Sequence, residues 1–149
     1  MKNRKRGFSL VELLIVLAVI AALIATITPV ALNAIQKAKA TKVGQNIKTL
    51  ASAFENYVYV SGKVPANLTD IGRDIDVKAY AVYYAQDETS GTYTVVVKTS
   101  EEARKVILEG VLAGVEEKDY TTTAPNFKAL ENGFTGTVRY VYIFNFTNY

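Results

Sequence analysis

The 149-residue chain contains no cysteine and no histidine. Without cysteine there is neither a disulfide framework nor a thiolate metal site, and cysteine usage says nothing about the compartment. Without histidine, the Ser-His-Asp and Cys-His triads fall away, with most zinc chemistry and the commonest general base at neutral pH. An enzyme is therefore not expected, and no cofactor is implied. The adjacent acids Glu116 and Glu117 have no evident partner and read as part of a solvated loop. The length suits one small globular unit plus one accessory element.

Excess charge is also lacking once its location is considered. The formal net charge is +3, but Lys2, Arg4, Lys5 and Arg6 all fall in the first six residues. Setting those aside leaves 13 of the 17 basic side chains against 14 acidic ones. The basicity thus belongs to a targeting segment, and global charge gives no support for nucleic-acid binding.

What the chain does have is a long apolar run. Across residues 8–32 only Ser9, Glu12, Thr26, Thr28 and Pro29 are not plainly apolar, and residues 13–25 are unbroken. About 20 apolar residues suffice for a helix to cross the hydrocarbon core. The basic cluster before the run stays cytoplasmic by the positive-inside rule, which places the C-terminal domain on the far side. A cleaved secretory signal would want a shorter run and a nearby small-x-small site, whereas the only strict Ala-x-Ala nearby is Ala38-Lys39-Ala40, well past the run. An ordinary single-pass anchor is the plainest alternative. Glu12 argues against it, because an acidic side chain at membrane depth costs roughly 2.5–3.5 kcal/mol on insertion scales and marks a functional site unless it snorkels to the headgroups.

The segment Arg6-Gly7-Phe8-Ser9-Leu10-Val11-Glu12-Leu13-Leu14-Ile15 resembles the class III signal of type IV pilins and pseudopilins. The likeness lies in a short basic leader ending in Gly, a following Phe, Glu at the fifth position after the cut and an apolar run. It extends over residues 2–41, about a quarter of the chain. The resemblance implies that Gly7 is the last leader residue, cut by a membrane-embedded prepilin peptidase, and that Phe8 becomes an N-methylated N-terminus. It implies as partners identical subunits, the membrane assembly machinery and, before assembly, membrane lipid. It also implies a single-pass precursor in the cytoplasmic membrane that ends in an extracellular filament. Cleavage creates an ammonium on Phe8. Pairing it with Glu12 of a neighbouring subunit neutralises both charges only at the correct axial offset, so Glu12 would act in assembly as a register device. A pseudopilin of a type II secretion system shares this logic, and a membrane-anchored binding protein would keep the helix without needing the cut.

Beyond the run, Val43, Ile47, Leu50, Phe54 and Val58 recur at helical spacing, with Lys39, Lys42, Gln45, Asn46, Lys48, Ser52 and Asn56 mostly off that stripe. The chain thus reads as a leader over residues 1–7, a transmembrane or assembly half of one helix over 8–32, its amphipathic half over 33–60 and a globular pilin-like domain over 61–149. A continuous helix from Phe8 to about Tyr59 would measure about 78 Å. Pro29 is expected to kink or loosen it, and by resemblance residues 26–33 unwind in a filament; a plain kink without a role is the alternative. Gly44 reads as a second soft point.

Gly62 followed by Pro65 ends the helix. The segment 64–71 resembles the turn that follows the long helix in many pilins. Asp70, Asp74 and Asp76 offer oxygen ligands at short spacing that suit calcium, although such clusters are more often solvated loops with helix caps. Residues 77–86 and 92–98 read as a hairpin around 87–91. Thr99 and Glu102 read as a capping box for a helix to about residue 112, with Ala103, Val106, Ile107 and Val111 as its apolar face. Residues 119–132 read as loop with a short turn, and 136–146 as a strong final strand, the candidate to close the C-terminal region in the absence of a disulfide. The expected fold is α+β: a long N-terminal helix packed against a small antiparallel sheet with one extra helix. The ten tyrosines and six phenylalanines might suggest stacking on single-stranded nucleic acid, but no Lys/Arg stripe accompanies them, so core packing is the expectation.

Overall fold

The structure, a computed structural model, describes residues 7–118, 120, 126–130 and 133–148. The leader up to Arg6 and much of 119–132 lie outside the described residues. The chain divides into two compact units, Met1–Gln36 and Lys37–Tyr149. Helix α1 (Leu10–Ser61) contributes to each.

In the first unit α1 is apolar all round and its side chains are exposed from Leu10 to Gln36. It is long and apolar enough to cross a membrane. Helical assignment continues through Pro29. Around the proline the Thr26 hydroxyl donates to Leu23 O at 2.9 Å and the Thr28 hydroxyl to Ile24 O at 2.7 Å. Both threonines thereby satisfy their hydroxyls on the helix backbone, which lets polar side chains sit in an apolar run.

In the second unit α1 is amphipathic. Val43, Ile47, Leu50, Phe54 and Val58 are all fully buried, joined by Ala40, Gly44 and Ala51. This is the stripe expected from the 3.6-residue period. The helix ends where Gly62 adopts φ 66° and its N–H donates to Val58 O at 2.9 Å, a backbone conformation that a side chain would strain.

The sheet is antiparallel, in order β3-β5-β2-β1-β4. Strands β1 (Tyr80–Asp87) and β2 (Thr92–Thr99) form the expected hairpin, and β5 (Tyr140–Thr147) pairs with β2 along its whole length. The short strands β3 (Val115–Glu116) and β4 (Lys128–Ala129) close the two edges against β5 and β1. Where loop was expected, β4 forms because the outer edge of β1 needs backbone partners; Leu130 N–H adds a bond to Val82 O at 3.0 Å. Pairing of β5 with β2 thus fastens the C-terminal region, as expected of a chain without disulfides.

Alternation along the strands sends Tyr80, Val82, Tyr84, Tyr93, Val95, Val97, Tyr140, Tyr142, Phe144 and Phe146 into one core with the α1 stripe. Phe146 stacks on Tyr93 at 5.0 Å and meets Phe54 edge-on at 6.1 Å. The aromatics are therefore packing residues. The opposite face is also covered: Ala81, Val96 and Val141 are buried there, and Lys98, only 5% exposed, lays its ammonium 4.9 Å from the Tyr83 ring centroid.

Two expectations need correction. The second helix, α2 (Lys105–Val111), starts later than the Thr99/Glu102 pair implied, with Arg104 at its N-cap and no side-chain cap. Thr99 instead ends β2, where it is fully buried and donates to Ala79 O at 3.0 Å. The pairing of β2 with both neighbours outcompetes a local cap. Of the expected apolar face, Ala103 and Ile107 pack against the core and Val111 lies against Gly44, whereas Val106 is 77% exposed and Leu108 and Leu112 are the residues of this segment that are buried. Gly44 is not a soft point: a Cβ there would lie 2.8 Å from Val111 Cγ1 and 3.2 Å from Leu108 Cδ1. It is the notch in α1 that seats α2.

Two outcomes follow. Gly44→Ala should destabilise the detergent-solubilised chain by about 1–3 kcal/mol in thermal unfolding despite alanine's better helix propensity, and Val111→Ala should recover most of that loss. Burial, with a smaller contribution from the charge of Glu101, pushes the Tyr80 hydroxyl up to about 12 against a hydrogen bond from Asn46 that favours ionisation. Its folded pKa lies above the unfolded one, so the stability it contributes is complete below pH 10 and lost as pH rises toward about 12. Tyr80→Phe should accordingly make the alkaline fall in melting temperature shallower.

Candidate processing and assembly site

Residues 7–9 are not helical, and α1 begins at Leu10. The reason is chemical and local. The Ser9 hydroxyl accepts from Val11 N–H at 3.3 Å, the Glu12 carboxylate accepts from Ser9 N–H through Oε2 at 2.8 Å, and Leu13 N–H reaches Ser9 O at 3.1 Å. This is a variant of the capping box on Ser-x-x-Glu: Ser9 at the N-cap takes the N–H of the second helical residue, and Glu12 at the third returns to the Ser9 N–H. The sequence reading assigned Glu12 to assembly and missed the cap. The signal was present, since Ser9-Leu10-Val11-Glu12 has the capping spacing just ahead of an apolar run.

The cap has two consequences. First, it stops the helix one residue past Phe8, leaving the Gly7–Phe8 bond outside helical hydrogen bonding. Gly7 would meet nothing within 4 Å of an added Cβ, and Phe8 is 89% exposed. Exposed, non-helical backbone is where proteolysis concentrates. Second, the cap gives Glu12 a partner inside its own chain at the positive end of the helix dipole, which offsets part of the penalty for a carboxylate beside an apolar run. Oε1 makes no hydrogen bond among the described residues. The carboxylate therefore keeps an oxygen for a second donor.

The remaining candidates do not converge. Asp70 Oδ2 accepts from Asn67 N–H at 3.0 Å and Asp76 Oδ1 from Lys78 N–H at 2.9 Å, so both carboxylates cap local turns, while Asp74 sits at φ 61°. Among the described residues no group of three acidic side chains could hold a metal ion, so the calcium expectation finds no support. Glu116 lies on β3 and not in a loop; Glu117 has Lys105 Nζ at 4.0 Å, which also faces Glu109 at 3.8 Å. These are exposed ion pairs of little energetic weight.

Residues 2–28 match the prokaryotic N-terminal methylation motif. No curated protein and no solved structure matches the chain. The N-terminal segment is thus of the type IV pilin and pseudopilin class. Its motif is the class III signal, and the arrangement of the chain is pilin-like: a long N-terminal helix, a second helix and a five-stranded antiparallel sheet.

Loss of the cap is measurable in the detergent-solubilised chain. Ser9→Ala should speed amide exchange at Val11, and Glu12→Ala at Ser9, each by about fivefold, corresponding to about 1 kcal/mol for an N-cap. Unchanged exchange in both would mean that the cap does not hold the first turn.

Proposed function

We propose that the chain is the structural subunit of a type IV pilus or related filament, cut by a prepilin peptidase between Gly7 and Phe8 and assembled by packing of N-terminal helices. The observation that carries this is the juxtaposition of an exposed, non-helical Gly7–Phe8 bond with a carboxylate-capped helix whose first half is apolar on every side. The protein is then a substrate of the peptidase, not a catalyst.

Hydrolysis of that bond leaves a free amine on Phe8, the site of N-methylation. An ammonium and a carboxylate in a low-dielectric bundle attract strongly, and either alone is costly. The Glu12 oxygen left over by the cap is free to accept the Phe8 ammonium of an adjacent subunit. Because that pairing closes only at one axial offset, processing and register are coupled. The precursor sits in the cytoplasmic membrane with its basic leader inside and residues 37–149 outside; the processed chain leaves for a surface filament. A pseudopilin of a type II secretion system would share each of these steps, and the length and location of the filament separate the two.

Intact-mass analysis of material from the native host should find a chain beginning at Phe8 with one added methyl group. In the same host, Glu12→Ala should leave cleavage intact and abolish filaments seen by electron microscopy. A chain still beginning at Met1, or filaments indifferent to Glu12→Ala, would sink the proposal.

A further inference from the structure

The second unit carries opposite charge at its two ends. Where it begins, Lys37, Lys39 and Lys42 are all exposed on α1, and none makes an ion pair among the described residues. At the other end, the last turn of α1 meets the β1–β2 turn and the end of β5: Tyr59 donates its hydroxyl to Thr147 O at 3.2 Å, and Asn148 N–H reaches Gly91 O at 3.1 Å. That end exposes Asp87 and Glu88 from the hairpin, with Asp70 beside Val60 and Ser61. Lys63 follows the helix end in sequence and offsets one of these charges. The last helical turn has no basic residue to neutralise its dipole, which adds further negative potential. Hydrogen bonds from Thr89 N–H and the Ser90 hydroxyl hold the Asp87 carboxyl below its usual range and keep it ionised. The last turn of α1 presents Tyr59, 49% exposed, and Val60, 89% exposed, at this same end.

The two ends do not neutralise each other. Lys42 and Tyr59 are 17 residues apart on one helix, about 26 Å at 1.5 Å per residue. That is roughly three Debye lengths at physiological salt. Neither patch can pair with the other within one chain, and the complement of each is present on a second copy of this chain. A contact between two different patches of identical subunits is heterologous, and such contacts propagate as open helical filaments wherever the rotation does not close a ring.

We propose that the Lys37–Lys39–Lys42 end of one subunit docks on the Asp87–Glu88 end of another, giving the filament a second, solvent-side contact besides helix packing. The contact rests on the filament reading and deepens it. The exposed Val60 and Tyr59 supply its apolar part, and the charges supply direction, since base to base or tip to tip would place like charges together.

The test is a charge swap in the native host, scored as filament recovered by shearing. Lys39→Glu with Lys42→Glu, and separately Asp87→Lys with Glu88→Lys, should each cut filament yield by at least about tenfold, and all four together should restore it to within about threefold of the unmutated chain. Intact mass and thermal unfolding must show that each variant is processed and folded as the unmutated chain is. Yields unaffected by either pair would overturn the inference, as would failure of the fourfold variant to recover, which would assign the lysines to another partner such as anionic lipid. If the unmutated chain is cut but forms no filament, the filament reading itself fails; that outcome differs from filaments that form and ignore the swap.

Discussion

Everything in the second unit depends on one contact: the apolar stripe of α1 against the inner face of the sheet. Phe54 is its centre, fully buried and ringed by Tyr84 and Phe146. With no disulfide to constrain the unfolded chain, the C-terminal region is held by strand pairing, and the pairing is held by what the inner side chains bury. Loss of a phenylalanine at such a place costs about 3–5 kcal/mol, a large share of the stability typical of a small domain. The helix is thus the wall on which the rest is built.

The same helix carries a different burden in the first unit, where no sheet covers it. There its surface is apolar all round and exposed, which suits lipid and, in the proposed filament, identical helices. The capping box explains how such a helix can begin with an acid. Glu12 terminates the hydrogen-bonded ladder and meets the dipole, and so is partly compensated before any neighbour arrives. In the proposed filament, assembly would add a partner to a carboxylate already aimed, limiting the ordering that the intersubunit pair must bring about.

The charge separation in the second unit fits this division of labour. Apolar helix packing gives strength with little direction, because one apolar turn resembles the next. Discrete charges give direction with little strength, since exposed pairs contribute at most about 1 kcal/mol each. In the proposed filament, combining the two would let a subunit slide into an apolar bundle and stop at one offset.

The amino-acid sequence alone determined what depends on local composition and period. The apolar run, the stripe from Val43 to Val58, the Gly62 stop, the hairpin and the Gly7, Phe8, Glu12 motif were all legible, because each rests on neighbours within a turn or two. The Ser9 cap was equally local and was missed only because Glu12 already had a reading. Tertiary structure decided the rest. Thr99 has a cap's chemistry, yet it lies in β2 because two flanking strands offer its backbone more partners than a helix start could. The burial of Leu108 and Leu112 and the exposure of Val106 were decided by where the core lies, and Gly44 becomes a notch only when Val111 arrives from 67 residues away. Strand order, and with it the gathering of Asp87 and Glu88 beside the end of α1, comes from pairings between distant segments. No local pattern encodes which segments will meet.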